Sequence, residues 1–427
     1  MAATNLRDEH VIILNRWRDK YAEYANYVDH LACRVTYVTT MMGKQAVPDE
    51  AAGVLIVDDI NNFTQVRAAV DAAVASHGKP AAIIALQEGD FSVASRLREE
   101  FRTVGRKPAE LHRFLDKHAM LLAAQQAGVR LPLFELVTST QELDAFAARV
   151  GWPVVVKPLQ GRASVGVHRL DNPERAAGVE ISAERPMLAQ EYLPHRVYHA
   201  DGLYTGVDIG PWRLSTYENM PDAATTGPLA FMLGEPVGSI EIDDPVRCAT
   251  VEKFLRILLP RMSEQPWVFH LELFIVDGAD EPECVFLEVG CRPGGGEIPF
   301  IWRDVHNVDL MGLEFALQCG QTPELPSFPA TEPVGGCLLV PLRGPRPCRI
   351  MAAPTMRRPS GPYAEAIPTV GEMVPRTEGS YEFIGGRFRF RGRSTAEVTR
   401  KVIATATDYR VLAQAVGDPD LVDAGGS

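Results

Sequence analysis

The sequence contains no CxxC spacing, and its seven cysteines (33, 248, 284, 291, 319, 337 and 348) are odd in number and scattered. That pattern suggests no zinc site and reads as reduced thiols, mostly buried as small apolar residues. No GxGxxG follows a strand-like run, so a dinucleotide-binding fold is not supported. No apolar stretch approaches the roughly 20 residues needed to span a bilayer. The N-terminal "MAATNLRDEH" lacks the apolar core of a signal peptide. A cytoplasmic location with no membrane partner is therefore expected. No long basic run offsets the net charge of -12, from 43 Lys and Arg against 55 Asp and Glu. That excludes a sequence-independent nucleic-acid partner but leaves room for a local basic pocket. There are no internal repeats.

The 427 residues include an ordinary 46% hydrophobic and 23% charged share, enough for two to four domains. Buried strands are expected at Val11–Leu14, Val35–Val38, Val54–Val57 and Ala81–Leu86. Amphipathic helices over Tyr21–Leu31, Thr64–His77 and Phe91–Phe101 alternate with them, the pattern of a parallel α/β sheet. One helix is expected over Ala109–Ala127, capped by Gly128. Strands "PVVVKPL" and "VGVHRL", joined by "QGRAS", come next, then strands "MLAQEYL" (Met187–Leu193) and "GLYTGVDI" and a helix over Pro245–Met262. Beyond Pro326 the composition turns rich in Pro, Arg and Gly, followed by strand-like "YEFIGGRFRFRG" and a last helix. Thr331 to Ala415 reads as a small α+β appendage, and "VDAGGS" as a frayed tail.

Between them lies "FHLELFIVDGADEPECVFLEVGCRPGGG", two alternating runs around a loop of turn residues, which reads as a hairpin. The loop Asp277–Glu283 is centred on position 280, midway between Glu272 and Glu288. Those two carboxylates are therefore expected as direct cross-strand neighbours on one face. Like charges so placed repel, and either a shared proton or a cation relieves them.

Other stretches carry chemistry only in combination. Lys157 precedes a turn containing Gly161, Ser164 and Gly166, which suits a polyphosphate but, taken alone, reads more readily as an ordinary hairpin with a solvated lysine. Lys117 opens a helix, and alone is a surface lysine. "AQEYLP" could be a core strand, Arg292 in "CRPGGG" could pair with any carboxylate, and Cys291 reads as a buried thiol rather than a nucleophile. His199 and His270 read as hydrogen-bonded structural histidines.

In this order and spacing, the pieces from Lys107 to Gly320 resemble the ATP-grasp superfamily, of the carboxylate–amine ligase type. The resemblance implies an α/β and α+β chain with four parts: an N-terminal α/β domain over 1–106, a small ATP-grasp lobe with a phosphate flap over 107–186, a large lobe with the metal site over 187–330, and a C-terminal α+β appendage and tail over 331–427. It also implies that Lys117 and Lys157 contact the nucleotide phosphates, with the Gly161–Gly166 turn, including Ser164, as a mobile flap. "AQEYL" would be the hinge strand, the Gln190 carbonyl and Leu193 amide reading adenine with Glu191 between them. Glu272 and Glu288 would bind Mg²⁺, or Mn²⁺ in its place, and Arg292 would stabilise the transferring phosphoryl group or an acyl phosphate.

Two positions depart from the family pattern. Gly290 stands where an Asn metal ligand is frequent, and Val197 where a ribose-binding Glu is frequent. His199 or Asp201 then becomes the candidate for ribose. The resemblance implies an ATP-dependent ligase that joins small-molecule carboxylate and amine substrates, amino-acid-like in the absence of a carrier or biotinyl segment. The alternatives are acyl transfer to a carrier-protein thiol and a non-catalytic nucleotide-binding protein. The acceptor pocket is expected from Tyr217–Phe231 and the Arg-rich appendage, and a homodimer is the default assembly.

Overall fold

Strands β1 (His10–Asn15), β2 (Arg34–Thr39), β3 (Gly53–Ile56) and β4 (Ala82–Ala85) pair in parallel in the order β3-β2-β1-β4. The structure, a computed structural model, describes residues 6–17, 21–161, 164–219, 227–278, 281–325, 328, 333–344, 346–375 and 384–416. Arg162 and Ala163 of the expected flap, residues 220–226 of the expected acceptor loop, residues 381–383 and the "VDAGGS" tail lie outside the described residues.

β1 is buried on both faces, which is why its run is continuously apolar. Ile12 and Leu14 join the core that includes residues of helices α2 (Phe63–His77) and α3 (Phe91–Phe101). Val11 and Ile13 join a second core with Met311 and Phe315. The helix expected over Tyr21–Leu31 shrinks to one turn, α1 (Tyr24–Tyr27). Val28 is already extended, and Asp29 Oδ1 takes the amides of Leu31 and Ala32 at 2.9 and 3.1 Å. That Asx-type turn competes with further helix. The expected helix over Ala109–Ala127 is two, α4 (Pro108–Leu115) and α5 (Lys117–Gln126). The break is Asp116, extended at ψ 115°, whose side chain caps α5 by accepting from the Ala119 amide at 2.9 Å.

A second sheet contains β5 (Phe134–Val137), β6 (Val154–Pro158), β7 (His168–Leu170) and β8 (Met187–Glu191), in the order β5-β8-β6-β7 and antiparallel throughout. Neither β5 nor α6 (Thr140–Val150) was expected; α7 (Pro173–Ala176) is a single turn. Val154, Val156, Met187 and Ala189 pack with Leu143, Phe146 and Ala147 of α6. By alternation, Val155, Lys157, Leu188 and Gln190 share the opposite face.

The third sheet begins with β9 (Val197–Tyr204), β10 (Ile209–Asn219), β11 (Val237–Glu241), β12 (Trp267–Val276), β13 (Glu283–Gly290) and β14 (Val334–Pro341). "GLYTGVDI" is the β9–β10 connection rather than one strand, because Thr205 N bonds Asp208 O in a tight turn. Helices α8 (Pro228–Met232), α9 (Pro245–Met262), α10 (Ile298–His306) and α11 (Leu310–Gln318) accompany it. The remaining elements are β15 (Cys348–Ala352), β16 (Ala364–Ala366), β17 (Met373–Val374), β18 (Ile384–Gly392), α12 (Thr395–Asp408) and β19 (Leu412–Ala415). The eight-stranded sheet runs β13-β12-β9-β10-β11-β14-β18-β16, and a three-stranded sheet runs β17-β15-β19. The C-terminal strands β14, β18 and β16 thus continue the large sheet instead of forming a self-contained appendage. Among the described residues no helix is long and apolar enough to cross a membrane.

Candidate active site

Glu272 and Glu288 are cross-strand partners on β12 and β13. The expected register holds at this pair, with help from an irregularity. Nearer the loop, Leu273 pairs with Phe286, one residue short of a symmetric hairpin, and a bulge beside Glu272 restores the offset. Bulges re-aim side chains next to functional sites.

β9 carries the next layer of polar side chains. His199 lies opposite Glu272, and Asp201 opposite His270. Asp201 holds both imidazoles, His199 Nδ1 at 2.5 Å from Oδ2 and His270 Nδ1 at 2.8 Å from Oδ1. His270 Nε2 then lies 3.7 Å from Glu272 Oε1, which also accepts from the Tyr217 hydroxyl at 2.7 Å. Burial disfavours a charged His270, but the Asp201 carboxylate raises its pKa to about 9. Burial likewise opposes ionisation of Glu272; its bond to His270, with help from Tyr217, outweighs it and holds the carboxyl below its usual range. Half of the like-charge problem is therefore met by an imidazolium, a protein cation that the two sequence alternatives did not include. The Glu288 side chain has no hydrogen bond or ion pair among the described residues.

Lys157 is also unpaired among the described residues and only 4% exposed. Burial brings its pKa down to about 8, against the opposing pull of Glu288. Lys117 opens α5, its Nζ donating to Gly161 O at 2.7 Å at the base of the turn. Gly161, Ser164 and Gly166 all have positive φ. The structure brings Lys157 within electrostatic reach of Lys117, Glu272 and Glu288, and Arg292 within reach of the same two glutamates.

The hinge strand needs a correction. The Glu191 amide donates to Leu133 O at 2.9 Å, on the β5 side. Alternation turns the backbone groups of Gln190 the other way, toward Val155 of β6 and into the ladder. The carbonyl left over on the β5 side is that of Glu191, with half-buried Leu193 just beyond the strand end. Gln190 contributes its side chain instead: Nε2 is buried without a hydrogen-bond partner, on the face it shares with Lys157. His199 is also corrected. It is 1% exposed, and both ring nitrogens are engaged, Nε2 with Ser239 Oγ at 2.7 Å, so none remains for a ribose.

The donor atoms of His199, Asp201 and His270 lie within 4.8 Å of one another. The two nitrogens and two carboxylate oxygens facing each other are already joined in hydrogen bonds, so this group is a buried polar network under the glycine loop. A Cβ on Gly294 would lie 2.5 Å from Asp201 Oδ1 and 3.0 Å from His270 Nδ1, so only glycine fits there. Burial pushes the Cys291 thiol up to about 12, which agrees with its reading as an inert core residue.

No protein-family model matches the chain. Over 294 residues it is 24% identical to the L-arginine-specific L-amino acid ligase of Bacillus subtilis, spanning 66% of this chain and 68% of that one. The L-amino acid ligase from Bacillus licheniformis superposes with a TM-score of 0.69 at 14% identity, covering 96% of this chain and 99% of that one. The biotin carboxylase domain of the Hydrogenobacter thermophilus 2-oxoglutarate carboxylase, solved with MgADP, ADP and bicarbonate, superposes at 0.67 with 12% identity, covering 95% and 91%. The chain is thus similar to ligases of the ATP-grasp superfamily. Its fold is the ATP-grasp fold, which it shares with these ligases.

The ATP-grasp motifs led to Lys117, Lys157 and the paired glutamates, but they missed Glu88, the contact of Tyr217 with Glu272 and the part His270 plays beside it. Glu88 follows β4, and the carboxyl ends of parallel strands are where α/β sheets place ligand sites, a signal that "LQEGD" offered.

Proposed function

We propose that this ATP-grasp protein joins a carboxylate to an amine through an acyl phosphate, on amino-acid-like small molecules. A carboxylate oxygen of the first substrate attacks the γ-phosphorus of ATP, and the bond to the β-γ bridging oxygen breaks to release ADP. The amine nitrogen then attacks the acyl carbon, phosphate leaves, and the nitrogen gives up a proton as the amide forms. ATP supplies the leaving group that a free carboxylate lacks.

The observation that carries this reading is a buried lysine and a carboxylate, Lys157 and Glu288, both without partners among the described residues and within electrostatic reach of each other. An unpaired buried charge is costly, and a polyphosphate with a divalent cation meets both at once. The orphaned Gln190 Nε2 on the lysine's face points the same way. We assign the phosphates to Lys117 and Lys157, with the Gly161, Ser164 and Gly166 turn over them. Adenine goes to the Glu191 carbonyl and the Leu193 amide. Glu272 and Glu288 suit Mg²⁺, or Mn²⁺, since both are hard oxygen ligands. When bound, the ion neutralises charge on the phosphates. Arg292 stabilises the transferring phosphoryl group or the acyl phosphate. The protein's own work is positioning and charge placement.

The names of its ligase relatives support amino acids as the substrates to try first. A phosphate-release assay over a panel of amino acids, alone and in pairs, tests the reading. Release that requires both a carboxylate and an amine is expected. Release only with a carrier protein that gains mass would favour thiol transfer, and no release under any condition would favour a non-catalytic nucleotide binder.

A further inference from the structure

Arg292 reaches across the molecule to the N-terminal sheet. Its Nε donates to Glu88 Oε2 at 2.6 Å, on the turn after β4, and its Nη1 to Pro293 O at 2.9 Å. The side chains are only 22% and 20% exposed. Burial opposes ionisation of Glu88, and Arg292 outweighs it, lowering the carboxyl pKa.

The path of Arg292 runs directly over Gly290. A Cβ built on Gly290 would lie 3.3 Å from Arg292 Cγ, 3.5 Å from Nε and 3.7 Å from Cζ. Gly290 is not among the glycines with positive φ, so its backbone does not require glycine. The space is tight instead: a Cβ there would press on the arginine's stem at Cγ by a few tenths of an ångström and touch Nε and Cζ at ordinary contact distance, so a longer side chain would crowd the arginine's path.

We propose that Gly290 and Glu88 are joint positioning residues for Arg292. The bare backbone at 290 opens the arginine's path, and the Glu88 carboxylate fixes its far end, so the N-terminal α/β unit takes part in the ligase site. The proposal rests on the reading of Arg292 as the group at the transferring phosphoryl or acyl phosphate. It also changes the meaning of Gly290. An Asn placed there would crowd Arg292, so on this proposal the glycine is an adaptation to the arginine rather than a lost ligand.

Two readouts test this on the full chain with Glu88→Gln, Gly290→Asn, Arg292→Met and their doubles. The first is thermal unfolding without substrates. A double-mutant cycle between Glu88→Gln and Arg292→Met is expected to show coupling in the wild-type background and none in Gly290→Asn. Additive shifts in the wild-type background would overturn the proposal, and so would coupling that persists in Gly290→Asn. This readout needs no catalysis, so it decides the placement of Arg292 even if the ligase reading fails because wild type forms no amide.

The second readout is amide-forming turnover. Glu88→Gln is expected to lower kcat about a hundredfold, the scale of a misplaced catalytic group, with the KM for ATP little changed. Added to Arg292→Met, it should cost nothing more. Glu88→Asp, which keeps the charge, should recover part of the loss, and it replaces Glu88→Gln in the cycle if that variant does not fold. Gly290→Asn should lose turnover while Mg²⁺ affinity, read by calorimetry, stays the same. Tighter Mg²⁺ binding with turnover retained would mean a restored ligand and would sink the proposal.

Discussion

Glu272 and Glu288 are direct cross-strand partners, yet Glu272 has His270 and Tyr217 beside it while Glu288 has no partner among the described residues. Identical side chains in one pair should therefore respond differently to the same substitution. Without metal, Glu288→Gln should be neutral or slightly stabilising, because it removes a like charge from beside Glu272. Glu272→Gln should destabilise by about 1 kcal/mol, because it removes the anion facing the His270 imidazolium.

A carboxyl whose folded pKa is depressed contributes stability above its unfolded pKa and loses it as pH falls through the folded value. That acid-side loss should shrink in Glu272→Gln. Thermal melting with EDTA, with Mg²⁺ and with Mg²⁺ plus ATP checks the set. If stabilisation by Mg²⁺ plus ATP survives intact in Glu288→Gln, the metal assignment is wrong.

Lys157 provides a pH prediction. Its folded pKa of about 8 lies below the ordinary lysine value of 10.5, chiefly because it is buried. Between those values the unfolded chain holds the proton and the folded protein does not, so this residue makes stability rise with pH across that window. Polyphosphate binding restores the charge, so MgATP binding near pH 9 should take up a proton, and affinity should weaken as pH rises past about 8. Calorimetry in buffers of different ionisation enthalpy measures the uptake. Lys157→Arg should abolish it, and an unchanged uptake in that variant would assign the proton to another group.

The parts of this site legible in the sequence are those set by local periodicity. Period-two alternation put Glu272 and Glu288 on one face, and the order of lysine, turn, hinge strand and hairpin identified the fold. What was not legible depends on partners distant in sequence. Arg292 and Glu88 meet 204 residues apart. Which hinge carbonyl is left over depends on Leu133 accepting from Glu191, a contact with no local signature. Asp116 looked like one more polar residue inside a helix, although its extended backbone and capping side chain divide two. The C-terminal strands read as a separate unit because their pairing with β11 through β14 leaves no mark in either segment.

The most direct test of the ligase reading follows oxygen. With the substrate carboxylate labelled with ¹⁸O and MgATP supplied, an acyl-phosphate route leaves one labelled oxygen in each inorganic phosphate released, one for each amide formed, with ADP as the nucleotide product. Mass spectrometry of the phosphate reads this in a single-turnover reaction. We predict singly labelled phosphate and ADP from the wild type, and neither from Glu288→Gln. Unlabelled phosphate, or AMP with pyrophosphate, would contradict the account.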